Sequence, residues 1–513
     1  MTDSTRRPAT GPIAAIAAVT HAYSLLVFGA VFWIDGRAYA ALGEALSRAG
    51  GLRHFYDGVG TWFYSHLQPG PGLLWVALDA LPVHAQWPAL ALFQHGVAAW
   101  AMYCFFAALH SRWPSRWNYV ACALLGCLPF YQAAHNSFMT ESLSSSLLLL
   151  GLALALRMGA REALDRRRLL LLGLVILLAT QLRSYFGFML GGAAILVLLN
   201  RPAQRVPTGA TVALALAMSA LAFPAWRWTQ TGTFWLPQLG MNKLQTGWWT
   251  NPRPSDSVLQ RLQALDFPEA LAPKAAVNRG LDYDQAAAIA LHWRSRGLSD
   301  LQVNDRAQQA GDLLTGDDAA VYLNRMRQAL TSSGLTLAYC VGDLDQIVFP
   351  GYSAERLCRH IQSVYRFHGW LSEVDHGPLL SAFFGPAQAS GTFQEPFGPE
   401  ASAKLHAQIR PWLASTPLGL RDPFRLGAVP PDAWIALAMT AWLLLCLRRG
   451  DHRPWVMAVA WIVLANAAVA FAAPLGNPRY GYALVPLYVS LLGLAIRVCG
   501  VPRQPNRGSQ ELG

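Results

Sequence analysis

The stretch Arg166-Arg167-Arg168-Leu169-Leu170-Leu171-Leu172-Gly173-Leu174-Val175-Ile176-Leu177-Leu178-Ala179-Thr180-Gln181-Leu182-Arg183 opens with three arginines and then carries no charge until the last residue. Its apolar side chains leave no polar stripe, and a helix apolar all round requires an apolar environment on every side. Comparable runs lie near 12–34, 87–109, 117–132, 142–156, 185–200, 209–226, 431–447, 455–473 and 482–498. A helix needs roughly 20 mostly apolar residues to cross about 30 Å of hydrocarbon, so these runs read as about ten transmembrane helices. Composition agrees. The 513 residues are 53% apolar and 13% charged, where an average soluble chain carries about 25% charge. A single water-soluble core is excluded.

Charge gives the chain its sidedness. With the N-terminus inside, the cytoplasmic segments collect clusters such as Arg166-Arg167-Arg168, Arg448-Arg449 and Arg503 with Arg507, in all seventeen arginines against five acidic residues. The net charge of +11 is thus positive-inside bias, with both termini cytoplasmic. Because the excess is divided among short loops and forms no single patch, a nucleic-acid partner is excluded. The first apolar run follows Arg6 and Arg7 and precedes Ala38-Tyr39-Ala40, which has the form of a cleavage site. Its length exceeds the apolar core of a signal peptide, and it reads as a retained signal-anchor helix. Arginine far outnumbers lysine, which suits a GC-rich bacterial genome and an inner (cytoplasmic) membrane location.

Three parts follow. Residues 1–226 form an N-terminal transmembrane module with a first extracytoplasmic loop over 35–86. Residues 227–430 form a mainly helical domain on the periplasmic side, with helix starts at Gly316-Asp317-Asp318 and Tyr352-Ser353. Residues 431–513 form a C-terminal transmembrane module with a cytoplasmic tail. The fold class expected is an all-α, polytopic membrane bundle. Cys340 and Cys358 fall in the outer domain, where an oxidising compartment permits a disulfide; two free thiols are the alternative. The apolar stretch 73–83 is too short to span and reads as interfacial.

Soluble-enzyme signatures such as G-x-x-x-x-G-K-[ST], H-E-x-x-H and G-x-S-x-G are missing from the sequence. The topology nevertheless gathers polar residues on the outer face: Asp35, His54, Asp57, His135, Glu141, Arg183, Arg479 and Tyr480. Ionisable residues at membrane boundaries are functional candidates by default. Their bland alternatives are snorkelling or carboxylate pairing for Arg183 and Arg479, and helix capping for Glu141.

In these residues the chain resembles the glycosyltransferase-C (GT-C) enzymes, which use polyprenyl-phosphate sugars. Asp35-Gly36-Arg37-Ala38-Tyr39 resembles the D-x-x-x-Y opening of that family's first outer loop, and Thr140-Glu141-Ser142-Leu143 its T-E-x-L helix start. Gly173 with Arg183 resembles its helix ending in arginine, and Asn477-Pro478-Arg479-Tyr480 with Pro486-Leu487 its R-Y and P-L signature before the last helix. Asp35 is followed by Gly36, whereas many relatives carry an acidic pair there, so the partner carboxylate stays open between Glu44, Asp57 and Glu141. The resemblance implies a polyprenyl-phosphate-linked sugar donor and a glycan, lipid or protein acceptor at the bilayer surface. Asp35, Asp57 and Glu141 would be catalytic, and Arg183, Arg479 and Tyr480 would bind donor phosphate. Tyr39, His54 and His135 would contact substrate. No cofactor is required, the metal question is open, and a divalent cation bridging Asp35 and phosphate is the alternative. An O-antigen ligase or polymerase is the nearest rival. A transporter or flippase would call for internal repeats and charged residues deep in the helices, and neither is visible in the sequence. A noncatalytic envelope scaffold is the last alternative.

The charge partition predicts that reporters fused after Arg168, Arg205 and Arg453 register cytoplasm, and those after Asp57, Gly316 and Asn477 register periplasm. A periplasmic signal from the Arg205 fusion overturns the topology.

Overall fold

A computed structural model describes residues 9–28, 69–136, 138–159, 165–200, 205–231, 254–268, 292–315, 452–472 and 482–500, with scattered residues between 39 and 47, 243 and 247, and at 289, 290 and 445. Most of these residues are helical, and no strand occurs among them. Among the described residues, ten helices lie before residue 232. They are α1 (Gly11–Phe28), α2 (Pro69–Leu78), α3 (Val83–Arg112), α4 (Trp117–Cys127), α5 (Pro129–Asn136), α6 (Thr140–Gly159), α7 (Arg166–Leu182), α8 (Ser184–Met189), α9 (Gly191–Asn200) and α10 (Arg205–Thr231). Then come α11 (Asp256–Ala264), α12 (Asp300–Thr315), α13 (Arg453–Ala472) and α14 (Val485–Gly500). The expected helix over 431–447 and the helix starts at Gly316 and Tyr352 lie outside the described residues.

Two of the helices, over Pro88–Arg112 and Thr140–Met158, are long and apolar enough to cross a membrane. Shorter apolar helices cover Gly11–Leu25, Trp117–Cys127, Tyr185–Asn200, Arg205–Leu221, Arg453–Asn466 and Tyr482–Ile496. α6 is the hub. It packs between α3 and α7 and also meets α9, while α1 lies on α3 and α4, α14 on α4, and α13 on α8 and α9. Polar and apolar positions are distributed against the habit of water-soluble folds. Leu170, Val206 and Leu464 are 70%, 82% and 66% exposed, while Ser142, Ser144, Ser145 and Ser146 of α6 are buried.

Two expected single helices are broken. The run 117–132 stops at Leu128, whose extended backbone precedes Pro129, because the residue before a proline is driven out of the helical region. The run 185–200 is interrupted at Leu190, and the indole of Trp461 on α13 donates to the Phe188 carbonyl at 2.8 Å. Next to that break, a Cβ on Gly192 would stand 2.7 Å from the Ala458 carbonyl oxygen. Glycine there lets α9 and α13 approach backbone to backbone.

A second apolar cluster belongs to the region read as the outer domain. It joins Leu262 of α11 and Val303, Ala307 and Leu314 of α12 to Leu244, Phe267, Ile289 and Trp293. The Trp293 indole donates to the Leu265 and Asp266 carbonyls at 3.1 and 3.0 Å. Asp266 takes a left-handed conformation with φ 54° where α11 ends, a conformation that Asp adopts more readily than most residues.

Replacing Gly192 by alanine is expected to cost about 1–3 kcal/mol through overpacking. Gly96, where an added Cβ would meet nothing within 4 Å, is expected to gain about 0.5–1 kcal/mol as alanine by relief of helix entropy. Thermal unfolding of the two variants in detergent checks the contrast, and equal effects would overturn it.

Candidate functional site

Thr140 and Glu141 occupy the first turn of α6, where a carboxylate is favoured by the positive end of the helix dipole. Arg183 ends α7 in an extended conformation, its backbone N–H donating to the Ala179 carbonyl. The two helices are neighbours, which brings the start of one to the end of the other. There the Arg183 guanidinium donates to Glu141 Oε1 in an ion pair and to Thr140 Oγ1 at 3.2 Å. Thr140 Oγ1 in turn donates to Glu141 Oε2 at 3.1 Å. Its one hydrogen is thereby used, so Tyr39, whose hydroxyl lies 3.4 Å away, is the donor in that contact. The guanidinium also lies over the Tyr185 ring, 5.4 Å from its centre, a favourable cation–π placement. Exposure separates the partners: the Glu141 side chain is 1% exposed and that of Arg183 17%. The carboxylate faces protein; part of the cation faces outward.

Tyr39 and α2 are seated beside this pair by close packing. Tyr39 packs edge-on against Phe138, with ring centres 5.3 Å apart, and Trp75 of α2 stacks on the same Phe138. Gly70, in the first turn of α2, has no room for a side chain, since a Cβ would sit 2.6 Å from the Gln181 carbonyl oxygen at the end of α7. The Pro69-Gly70-Pro71-Gly72 sequence forms the first turn of α2. It docks α2 two residues before Arg183.

Of the residues singled out from sequence, Tyr39, Glu141 and Arg183 come together here. His135 does not join them directly. Fully buried, it belongs to an inner polar cluster with His21 of α1 and His95 of α3, whose ring centres lie 5.2 and 5.7 Å from its own. The network fixes the ring hydrogens. The Asn136 amide nitrogen donates to the Gln132 carbonyl and to Ser24 Oγ, which leaves Asn136 Oδ1 to accept from His95 Nε2 at 3.0 Å. His95 Nδ1 is then the acceptor for His21 Nδ1, also at 3.0 Å. His21 Nε2 keeps a buried lone pair with no hydrogen-bond partner among the described residues. Sequence reasoning missed His21 and His95 because each is a lone polar residue in an apolar run. Gln94-His95, Gln132 and His135-Asn136, polar pairs in otherwise apolar stretches, were the available signal. No group of three His, Cys, Asp or Glu side chains among the described residues is arranged to hold a metal ion.

Asp35, His54, Asp57, Arg479, Tyr480, Cys340 and Cys358 lie outside the described residues, as do Glu44 and the large part of 227–430. No family model, curated protein or solved structure matches the chain.

Chemically, the described cluster is a partly open guanidinium backed by a ring, flanked by hydroxyls and braced by a carboxylate. It suits a phosphate oxygen, because arginine's planar fork matches phosphate geometry. Glu141 is engaged by both Arg183 and Thr140 and so braces the arginine.

Removing Arg183 strands a desolvated carboxylate, and breaking a buried pair in this way costs about 3–5 kcal/mol. Arg183→Ala is therefore expected to lower thermal stability more than Glu141→Gln, which leaves behind the more exposed partner. The double variant should recover part of the loss. Equal single effects that simply add would show that the pair is not coupled.

Proposed function

We propose that this chain is a polytopic inner-membrane glycosyltransferase of GT-C type that moves a sugar from a polyprenyl-phosphate donor to a cell-envelope acceptor on the periplasmic face. In this reading about ten helices cross the membrane, both termini are cytoplasmic, and residues 227–430 form the periplasmic domain that selects the acceptor. The observation that carries the proposal is Arg183, braced by Glu141 and Thr140 and partly open, beside Tyr39 of the first outer segment. The apolar exterior around α7, α10 and α13 supports a lipid environment.

The chemistry follows from where charge develops. A lipid-phosphate donor keeps its tail in the bilayer and presents its anomeric carbon at the interface, so residues at helix ends reach the reacting bond. As the sugar–phosphate bond breaks, negative charge grows on phosphate, and a pre-positioned Arg183 stabilises it as it forms. Arg479, three residues ahead of Tyr482 in sequence, is the second phosphate ligand, with Tyr480 beside it. The acceptor hydroxyl must lose its proton as it attacks, and Asp35, four residues ahead of Tyr39, is the base. Asp57 is the reserve carboxylate. A single displacement inverts the anomeric centre.

The buried His21, His95 and His135 cluster favours one second reading, a transporter of lipid-linked sugars, because polar groups inside a bundle mark substrate paths in such proteins. Covalent transfer separates the two.

Mass spectrometry of envelope glycans and lipid-linked sugars in a deletion strain is expected to show an acceptor lacking one sugar while the polyprenyl-phosphate sugar accumulates. With purified enzyme, Asp35→Asn is expected to lose about 10²-fold or more in transfer rate while retaining donor binding. Near wild-type transfer by Asp35→Asn moves the base elsewhere. Movement of intact lipid-linked sugar across vesicles without any new glycosidic bond selects the transporter.

A further inference from the structure

Both nitrogens of the His135 ring are used, one by a residue close in sequence and the other by a distant one. Tyr482 precedes α14 by three residues and donates its hydroxyl hydrogen to the Tyr131 carbonyl. A carbonyl only accepts, so the same hydroxyl oxygen is left to accept from His135 Nε2, 3.1 Å away. With Nε2 carrying the ring hydrogen, the neutral imidazole offers a lone pair at Nδ1, and Ser142 Oγ donates to it at 2.8 Å. Ser142 adjoins Glu141 in the first turn of α6. The ring therefore spans from the turn that braces Arg183 to the turn that opens the final helix, across a sequence separation of 347 residues between His135 and Tyr482. Its surroundings hold it still: Tyr131 stacks on Tyr482 with ring centres 5.5 Å apart, and His135 meets Tyr131 edge-on at 4.8 Å. Gln94 donates to the His135 carbonyl at 3.1 Å, fixing the backbone as well.

We propose that His135 is a positioning residue, a two-ended strut that sets the Glu141-bearing start of α6 against the turn entering α14. The polyprenyl-phosphate reading supplies what the strut serves; the strut itself stands on the hydrogen bonds. It does not touch substrate, and its effect on donor binding passes through Ser142 and Tyr482.

The two nitrogens can be tested separately, because asparagine places its amide near the position of Nδ1 and glutamine near that of Nε2. The full-length protein in nanodiscs is compared as wild type, His135→Asn, His135→Gln, Ser142→Ala, Tyr482→Phe and the pairwise combinations. The readouts are the unfolding temperature and the affinity for undecaprenyl phosphate. His135→Asn and Tyr482→Phe remove the same bond, so together they should lower the unfolding temperature by less than their sum, as should His135→Gln with Ser142→Ala. The crossed pairs should add, as independent contacts do. Ser142→Ala and Tyr482→Phe should each weaken undecaprenyl phosphate binding about three- to tenfold, the scale of one hydrogen bond. Additive effects in every pair, or identical behaviour of the asparagine and glutamine variants, overturn the strut. If the His135 variants cannot be recovered folded, undecaprenyl phosphate binding by Ser142→Ala and Tyr482→Phe decides alone, and wild-type affinity in both, with the wild type binding, overturns the proposal. Wild type that fails to bind undecaprenyl phosphate while the coupling pattern holds defeats the glycosyltransferase reading and leaves the strut standing. Binding without the coupling pattern does the reverse.

Discussion

A carboxylate removed from water must find its hydrogen bonds within the protein, and Glu141, with its side chain 1% exposed, finds them in Arg183 and Thr140. That requirement governs how the bundle is arranged at this end. It demands that the first turn of α6 meet the residue that caps the end of α7, which fixes the offset of two neighbouring helices along their lengths. It also holds the arginine out of the bundle interior, where a guanidinium without a partner would carry a large desolvation cost. The arginine keeps an outward side as a consequence, and Tyr185 and Tyr39 give that side an aromatic and hydroxyl-bearing surround.

Around that pair the sequence uses small residues to bring backbones close and buried polar residues to fix orientation. Gly70 lets α2 press on the carbonyl of Gln181, and Gly192 lets α9 press on that of Ala458. Apolar packing alone discriminates poorly among the rotations of a helix that is apolar on every face, and hydrogen bonds between helices supply the missing direction. The contacts from His21 to His95, from Asn136 to Ser24, and from His135 to Ser142 join α1, α3, α5 and α6 in this way. They give the bundle an orientation that leucines on every face leave undetermined.

Much of this was legible in the chain and some was not. Apolar runs between arginine clusters located α1, α3, α6, α7, α10 and α13 to within a few residues, because burying a backbone without water leaves helix as the economical solution for its N–H and C=O groups. The Thr140-Glu141 pair and Arg183 stood out as charges at run ends, and Tyr39 through its spacing from Asp35. What the sequence concealed was pairing. Glu141 and Arg183 are 42 residues apart, and nothing local says that one engages the other, which is why Glu141 read as a catalytic carboxylate or a helix cap. The histidine cluster was concealed for a related reason. His21, His95 and His135 are single polar residues on three separate helices, and only the packing of those helices makes them neighbours. The breaks at Leu128 and Leu190 differ from each other: Pro129 announced the first, whereas the second has its distinguishing contact in distant Trp461.

That contact bears on how the protein is made. Trp461 follows Phe188 by 273 residues, and a ribosome adds about 5–20 residues per second. The segment carrying Arg183 and the broken helix after it is thus synthesised about 14–55 s before the indole that secures it exists. For that interval the N-terminal helices must hold their arrangement without α13, and the region around Leu190 settles only when a late helix arrives. A chain whose synthesis stops before α13 would hold the ion pair yet lack the Trp461 contact that fixes the adjoining break, so the quality of the finished site is recorded by the last helices to be translated.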